Sequence, residues 1–529
     1  MGLQLYAWQE ECLALWFKND CRGIVNVVTG AGKTVLATAA VMRLSALPGM
    51  ESLRIKIVVP KAFLVRQWAR ALREQLSVSR EDIGVFSGSR KSSPGRKYMI
   101  YVINSARYSL AKHILGNFSL SQPVFLIADE CHHYGTEQNS KIFDFFPYVT
   151  NNRRFYSLGL SATPQCEHYE DVLVPNLGRE IYRFSFNHAL RAGVINRFAV
   201  FHICLKFSRF EREEYDDLTD QIKAALAKLR KECPNIGARD SISFFSELRY
   251  LAMTGKNTKT ADLANAILMM LYQRKEIVYH ASARAPCVID LVRLIRKNAR
   301  ILIFGERIEK ADEIYYMLNE AYPNEVGIYH SGMYKSAGEA ALKRFEDGEI
   351  RILVSCRTLD EGLSVTGADI GIIVSSTGST RQRIQRLGRI LRKKETERLA
   401  YFYYLYIEDT TEETDILREH LAGLERLVSM IDLYYEEKTR EFSNNYYNSL
   451  TEPVITQALE NGWSAAALAE LSKNLKKGLI TCDWWLTEEQ CLNRIQEAKD
   501  KTTRNYYAAM LYVARERASY KLQGTSCTL

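Results

Sequence analysis

The sequence contains no long apolar run. None of its hydrophobic stretches approaches the ~20 residues that a membrane-spanning helix requires. The first residues, MGLQLYAWQEEC, lack the basic start and the apolar core of a secretory signal peptide, and position 6 carries neither the Ser nor the Thr of a myristoylation signal. These absences favour a cytoplasmic protein without a membrane partner.

Paired cysteines are also lacking. The eleven cysteines are scattered along the chain, and no two of them form a Cys-x-x-Cys pair. This spacing indicates neither a zinc site nor a disulfide framework, and it fits a reducing cytoplasm. The C-terminal part of the chain carries no signature of a nuclease, a protease, a methyltransferase or a metal site.

Charge is unevenly distributed along the chain. The whole chain carries a net charge of +9, whereas residues 408–529 hold 14 Lys and Arg against 20 Asp and Glu, a net −6, so residues 1–407 carry +15. The positive charge of residues 1–407 suits a polyanionic partner. The acidic tail, residues 408–529, does not look like a second groove for nucleic acid. From charge alone, lysines that serve only solubility are an equally good explanation.

A glycine loop lies between a predicted strand and a predicted helix near the start of the chain. Residues 24–28 are a β-branched run typical of a buried parallel strand, and residues 35–42 form an apolar, Ala-rich helix pattern. The general phosphate-loop pattern has a glycine where this chain has Val27. The loop itself comprises Thr29, Gly30, Ala31, Gly32, Lys33 and Thr34.

This arrangement predicts a nucleotide-phosphate site. Glycines let backbone N–H groups approach the phosphates of ATP, the lysine reaches the β- and γ-phosphates, and the threonine hydroxyl binds Mg²⁺. We therefore expect ATP and Mg²⁺ as cofactors, with Lys33 in a catalytic role and Thr34 as a metal ligand.

Further apolar runs at residues 55–59, 98–103, 124–128 and 155–160 alternate with helical patterns. This alternation predicts an open, mostly parallel sheet with helices on both faces, which is the α/β class. In such sheets ligands bind at the carboxyl ends of the strands, where the polar clusters of this sequence fall.

Asp129 and Glu130 directly follow the fourth of these runs. One carboxylate can hold Mg²⁺, usually through water, and its neighbour can orient and deprotonate the water that attacks the γ-phosphate. A helix N-cap with an acidic first turn is the common alternative for an Asp-Glu pair. Together with the phosphate loop, we interpret Asp129 as a metal ligand and Glu130 as the catalytic base.

The motifs of the N-terminal half resemble the first motor domain of superfamily 2 helicases and translocases. They are Gln9, TGAGKT, VVPKAFLVRQW, DECH and SATP, in this order. A second set follows: a strand at residues 301–304, YHSG, ALKRFEDGEIRILVSCRTLDEGLSV and QRLGRILR. The residues within these motifs are similar to those of excision-repair-type translocases and of the motor (Res) subunits of type I and type III restriction enzymes.

The resemblance implies an α/β fold with two tandem RecA-like P-loop domains that contain parallel sheets, plus a helical C-terminal module. The expected boundaries are motor domain 1 at 1–205, a helical inter-domain segment at 206–275, motor domain 2 at 276–407 and the helical module at 408–529. ATP would be hydrolysed between the two motor domains while both grip the phosphate backbone of a nucleic acid.

The resemblance also assigns roles to single residues. Gln9 would contact the adenine edge, and Gly362 in the motif V region would lie at the nucleotide. Ser161 and Thr163 would sense the γ-phosphate and couple its loss to domain closure.

Three further residues belong to the motif VI pattern. Gln385, Arg389 and Arg392 are expected at the catalytic centre, where the two arginines would act as fingers on the γ-phosphate. A solvated basic helix would be the default interpretation of this segment if it stood alone.

Nucleic acid in this family is touched mainly at its phosphates, so sequence-independent binding is expected. DNA is expected rather than RNA. The candidate contacts are Lys61, Arg66, Ser105, Arg107 and Thr358.

The acidic tail is predicted to be helical. An apolar stripe comprises Leu417, Leu421, Leu424, Val428 and Ile431, and Gly478 is expected to end a later helix. Thr487 with Gln490 predicts a capping box. We expect residues 426–529 to dock a protein partner and not to take part in ATP hydrolysis.

The sequence thus predicts an ATP-dependent helicase or double-strand DNA translocase. One alternative is a motor subunit that slides on duplex without unwinding it in a restriction or defence assembly. Another is an ATP-gated nucleic-acid sensor without sustained movement.

Overall fold

The computed structural model describes residues 4–88, 90–148, 154–166, 168–195, 198–234, 236, 241–254, 258–356, 368–375, 400–414, 428–481 and 483–522. Several predicted site residues lie outside these ranges and have no structural description here: Thr358, Gly362, Gln385, Arg389 and Arg392.

Contacts divide the chain into two compact units, of which the first runs to Phe198 and the second begins at Ala199 and includes Tyr401–Leu529. Each unit is built on a sheet to which the described residues contribute eight strands. All the described pairings are parallel except two edge hairpins. The predicted α/β class is confirmed.

The first sheet has the strand order β4-β3-β5-β2-β6-β7-β1-β8. Its strands are β1 Arg22–Val27, β2 Arg54–Val59, β3 Ile83–Ser87, β4 Arg90–Lys91, β5 Tyr98–Val102, β6 Val124–Asp129, β7 Phe155–Ser161 and β8 Glu180–Phe184. Its α-helices are Ala7–Lys18, Lys33–Ser45, Leu64–Leu76, Ile103–Ala106, Leu110–Ser119, Glu137–Ser140, Val174–Leu177 and Phe186–Arg191. Every residue of β5 and β6 is buried, as expected for central strands covered on both faces.

The second sheet has the order β11-β12-β10-β13-β14-β9-β15-β16. Its strands are β9 Phe198–Leu205, β10 Ile301–Gly305, β11 Val326–Tyr329, β12 Ile352–Cys356, β13 Ile370–Ile373, β14 Ala400–Ile407, β15 Val428–Glu436 and β16 Glu441–Ser443. The α-helices of this unit are Arg209–Glu232, Ser241–Thr254, Thr258–His280, Arg284–Leu294, Ile308–Ala321, Lys335–Glu346, Thr411–Thr414, Asn445–Glu460, Ala465–Thr481, Glu488–Glu497 and Lys501–Leu522.

The expected end of motor domain 1 at residue 205 falls at the last residue of strand β9, which pairs within the second sheet. Strand β9 lies between β14 and β15 in the second sheet, so almost all of it belongs to the second unit. The helices of the predicted segment 206–275 belong to that unit as well. They bury a small apolar cluster of their own, which consists of Ala225, Leu229, Ile236, Leu248, Ala264 and Ile267.

The predicted helical C-terminal module is confirmed, and a hairpin of two strands precedes its helices. Val428 and Ile431, predicted to lie on a helical stripe, lie in β15, which forms an antiparallel hairpin with β16 at the sheet edge. Ile431, Leu433 and Tyr435 are buried at every second position, which is the period of a strand. The apolar residues of this segment fit both a helical and an alternating period, and burial at the edge of the second sheet favours the strand.

Gly478 does not end a helix, because the helix Ala465–Thr481 continues through it. A Cβ atom at Gly478 would lie 2.3 Å from Met510 Sδ, so the glycine serves the close packing of two helices. The predicted capping box is confirmed: Thr487 Oγ1 accepts from Gln490 N, and Gln490 Oε1 accepts from Thr487 N. Among the described residues, no helix is long and apolar enough to cross a membrane.

Candidate active site

Three neighbouring strands of the first sheet place the predicted catalytic motifs at one edge. Strands β6, β7 and β1 are adjacent and parallel, and their carboxyl ends carry Asp129, Ser161 and the phosphate loop. On the other side of β6 lie β2 and β5, which lead into Lys61 and Ser105. The parallel order therefore brings motifs that are distant in sequence to the same side of the sheet.

The phosphate loop has the backbone conformation that glycine permits. Gly30 and Gly32 have φ values of 92° and 100°, and Gly32 precedes the first residue of the helix Lys33–Ser45. Thr29 is buried, and its hydroxyl makes no hydrogen bond within the described part of the chain. Val27, which stands where the general pattern has glycine, is the buried last residue of β1.

Gln9 connects the first helix to the phosphate loop. Its amide nitrogen donates to Gly32 O at 3.1 Å, and its Oε1 accepts from Tyr6 N at 2.9 Å. Only 1% of Gln9 is exposed, so the glutamine predicted to read adenine also fixes the loop that faces the phosphates.

Lys33 and Glu130 form an ion pair, with Lys33 Nζ 2.9 Å from Glu130 Oε1. Glu130 follows β6 with φ 48° and ψ 53°, in the left-handed backbone region that residues other than glycine rarely adopt. Because the backbone leaves the regular strand conformation at Glu130, the consecutive carboxylates of Asp129 and Glu130 can lie at the same site. The loop lysine and the predicted base are thus in direct contact.

Asp129 is almost completely buried, and both of its carboxylate oxygens are hydrogen-bonded. Oδ2 accepts from Trp68 Nε1 at 2.8 Å, and Oδ1 accepts from Glu130 N at 3.1 Å. Burial, and secondarily the charge of Glu130, raise the pKa of the Asp129 carboxyl above its ordinary value, while Lys33 opposes this shift. A cation bound at this site would favour the ionised form of Asp129.

His132 links the DECH and SATP motifs. Its Nδ1 lies 2.9 Å from Ser161 Oγ and 3.6 Å from Glu130 Oε2. Ser161 Oγ also accepts from Thr163 N at 3.0 Å, so the two predicted coupling residues are hydrogen-bonded to each other. A continuous chain of contacts therefore runs from Glu130 to the SATP loop.

Sequence reasoning missed three supporting residues: Trp68, His132 and Tyr134. Tyr134 Oη lies 2.7 Å from Asp129 O and 2.9 Å from Val58 O, which ties the ends of β6 and β2 together. The available signal was chemical: a buried indole N–H or phenol hydroxyl requires a hydrogen-bond partner.

The candidate nucleic-acid contacts of the first unit follow β2 and β5. Lys61 and Arg66 are exposed, and Ser105 and Arg107 are half-buried. Arg107 donates to Asn104 Oδ1, so this guanidinium is oriented by its own loop. Thr358 lies outside the described residues.

The arrangement fits ATP and Mg²⁺. The phosphate loop offers a buried hydroxyl that has no hydrogen-bond partner among the described residues, and two glycines in left-handed conformation. Hard oxygen ligands, which Mg²⁺ prefers, are available from Asp129 and from Thr34 at the start of the helix.

The chain matches two protein families. Residues 2–166 match the type III restriction enzyme res subunit, and residues 284–394 match the helicase conserved C-terminal domain. These matches support a resemblance to superfamily 2 helicases of the XPB and Res type. The predicted resemblance is confirmed, and so is the predicted fold of two tandem RecA-like domains.

Curated relatives of this chain include the "DNA 3'-5' translocase XPB2" of Sulfurisphaera tokodaii. It is 28% identical over 400 residues, which cover 75% of this chain and 80% of that protein. The "DNA 3'-5' helicase XPB" of Mycobacterium tuberculosis is 24% identical over 73% of this chain and 58% of its own length.

Solved structures agree on the fold. The crystal structure of "DUF1998 helicase MrfA bound to DNA" superposes with a TM-score of 0.52 and 13% identity, covering 81% of this chain and 50% of that chain.

Proposed function

We propose that this chain is an ATP-dependent DNA motor, a helicase or double-strand translocase whose ATP hydrolysis is driven by DNA. The observation that supports this most is the contact of Lys33 with Glu130 beside buried Asp129, at the sheet edge that also carries the SATP loop. A phosphate-loop lysine, a metal-ligand carboxylate and a base are the groups that phosphoryl transfer to water requires.

In this proposal Lys33 exchanges Glu130 for the β- and γ-phosphates of ATP. Glu130 is then left to accept the proton of the attacking water, while His132 stays close to its second oxygen. Ser161 and Thr163, joined by a hydrogen bond, respond to the loss of the γ-phosphate. Arg389 and Arg392 remain proposed fingers, and Gln385 a proposed neighbour of the catalytic centre.

Thr34 and Asp129 would hold Mg²⁺, which supplies positive charge against the phosphate oxygens. Gln9 would contact the adenine, and Gly362 would lie at the nucleotide. The two hydrogen bonds that Asp129 accepts hold its carboxylate in a fixed orientation, which supports this assignment.

DNA is the proposed nucleic acid. The two XPB relatives are named as DNA enzymes, and residues 1–407 carry a net charge of +15. Lys61, Arg66, Ser105, Arg107 and Thr358 would contact phosphates, so binding should be salt-dependent and blind to sequence.

A motor that slides on duplex without separating it is a second candidate. The match of residues 2–166 to the res subunit of restriction enzymes favours it. A strand-displacement assay on a tailed duplex, run beside an ATPase assay, separates the two.

The direct test is the ATPase rate of the intact chain alone and with single-stranded DNA, duplex DNA, single-stranded RNA and duplex RNA. The proposal predicts at least a tenfold stimulation by DNA. An ATPase rate that no nucleic acid changes would contradict it.

A further inference from the structure

Trp68 donates a hydrogen bond to the proposed metal ligand from outside the nucleotide motifs. Its side chain is fully buried, and Nε1 lies 2.8 Å from Asp129 Oδ2. A hydrogen bond to a charged group weakens steeply when its distance or angle changes. The orientation of this carboxylate therefore depends on the position of the Trp68 ring.

The helix Leu64–Leu76 carries Trp68, and the same segment carries two proposed DNA contacts. Arg66 lies two residues before Trp68, and Lys61 lies in the turn that leads from β2 into the helix. Both are exposed, whereas Leu64, Val65 and Trp68 are buried against the motor core. One short element thus has a face for the phosphates of DNA and a face for Asp129.

The far end of this helix contacts the helix of the phosphate loop. Gln75 Oε1 lies 2.6 Å from Thr38 Oγ1, and Thr38 is fully buried. Thr38 Oγ1 also lies 3.1 Å from Thr34 O. The helix Leu64–Leu76 therefore contacts both Asp129 and the helix that follows the phosphate loop.

We propose that Trp68 is a positioning residue that couples DNA contact at Lys61 and Arg66 to the orientation of the Asp129 carboxylate. DNA that seats on the exposed face fixes the helix, and the indole N–H then holds Asp129 where the metal-bound nucleotide is hydrolysed. This inference rests on the proposed DNA-dependent ATPase function.

A matched control exists in the same unit. Trp16 is also fully buried, and its Nε1 donates to a backbone oxygen, Ser157 O, at 2.9 Å. Trp16→Phe and Trp68→Phe remove the same ring volume and the same kind of donor. Only Trp68→Phe alters the contact with Asp129.

The test compares the intact protein with both variants in two measurements. The first is the factor by which duplex DNA stimulates ATP hydrolysis. The second is the factor by which duplex DNA changes the affinity of a fluorescent, non-hydrolysable ATP analogue at fixed Mg²⁺, which is a binding measurement. By linkage, the nucleotide must change DNA affinity by the same factor.

We expect Trp68→Phe to lower the stimulation factor by roughly tenfold, the range for loss of a hydrogen bond to a charged group, and to bring the affinity factor close to 1. Affinity for the analogue in EDTA should change less than about twofold, since loop contacts persist. Trp16→Phe should keep both factors. If Trp68→Phe behaves as Trp16→Phe does, the inference is wrong.

A second variant tests the coupling if Trp68→Phe lowers the melting temperature of the protein. Benzothienylalanine at position 68 keeps the bicyclic ring and replaces only the N–H with sulfur. Loss of both factors in that folded protein supports the coupling, and full retention overturns it. An intact protein that DNA does not stimulate would instead refute the proposed function.

Discussion

Lys33 and Glu130 neutralise each other at 2.9 Å, so the two most important charges of the site are paired before a phosphate is bound. Their side chains are only 11% and 15% exposed, which limits solvent screening. Phosphate oxygens attract Lys33 more strongly than one carboxylate does, because they carry more charge. Binding of ATP is thereby expected to release the base.

The first prediction concerns Glu130→Gln. We expect it to keep ATP and DNA binding but to lower turnover by at least about a hundredfold, because Gln preserves shape and removes the base. Steady-state ATPase and nucleotide-binding titrations measure the two effects. Glu10→Gln, which breaks an exposed ion pair with Arg43, is the control and should retain activity. Rapid hydrolysis by Glu130→Gln would remove Glu130 from its role.

Lys56 carries a pH-dependent stability effect. Its ammonium nitrogen donates to Pro94 O at 3.0 Å inside the first unit, and burial, with Arg54 second, lowers the pKa of Lys56 from 10.5 to about 7. Between these values the unfolded chain binds the proton more strongly. This group therefore makes the free energy of unfolding rise with pH by up to about 1.4 kcal/mol per unit.

Lys56→Met should abolish that slope and stabilise the first unit most near pH 7, as measured by urea unfolding at pH 7, 8.5 and 10. Lys91→Met, at an exposed position of β4, should leave the slope unchanged. A wild-type slope that persists in Lys56→Met would contradict the assignment.

At the residue scale, spacing alone located the groups with characteristic chemistry. Lys33, Asp129 and Glu130 could be predicted because a glycine loop and a carboxylate pair at strand ends are specific patterns. Trp68 could not be predicted, since its helical spacing indicates only burial. Its partner lies 61 residues away, and contacts at that separation depend on strand order.

The hairpin of β15 and β16 is attached to a helix of the second unit through Asp290. Tyr435 Oη donates to Asp290 Oδ2 at 2.8 Å, and Arg440 Nε and Nη2 donate to the two carboxylate oxygens at 2.8 Å each. Asp290 lies on the helix Arg284–Leu294 of the same unit. These hydrogen bonds of Tyr435 and Arg440 to Asp290, here called the polar latch, add to the apolar packing of the hairpin.

Tyr435→Phe should lower the free energy of unfolding by about 1–3 kcal/mol, because a hydrogen bond to a charged group is lost. Tyr434→Phe, on the exposed face of the same strand, is the matched control and should change it by less than about 0.5 kcal/mol. Equal effects in urea unfolding would show that the latch contributes nothing.

Elements with a single clear period were predicted well, and ambiguous ones were not. The sequence around β15 contains apolar residues that satisfy both a helical and an alternating period, and the edge of the second sheet decides for the strand. Gly478 was misjudged because a glycine at a helix end and a glycine at a helix crossing look alike in sequence. Met510, 32 positions later, makes the difference.

At the scale of the whole molecule, the tail is part of the second unit and not a detachable module. Strands β15 and β16 extend its sheet, and Tyr403 of β14 donates from Oη to Ile480 O at 2.5 Å. Leu433, Leu475 and Leu479 are all buried. A partner that docks on this region stays a prediction, but the expectation that the engine works without it is withdrawn.

Truncation after Glu425 should therefore destabilise the second unit, because it uncovers the edge of β9 and the apolar surface under the helices. We expect aggregation or a melting transition lower by more than about 10 °C, with loss of DNA-stimulated ATPase. Circular dichroism melting and size-exclusion chromatography measure this. A truncated chain that melts like the intact one would contradict this placement of the tail.

The central claim is that ATP hydrolysis moves this protein along DNA. The most direct measurement is the DNA-stimulated ATPase rate of the intact chain on linear duplexes of increasing length, at saturating ATP and equal concentration of ends. A motor spends more ATP per binding event on longer DNA, so the rate should rise with length and then level off at the distance covered before release. A rate that is stimulated by DNA yet independent of length would contradict movement and identify an ATP-gated sensor.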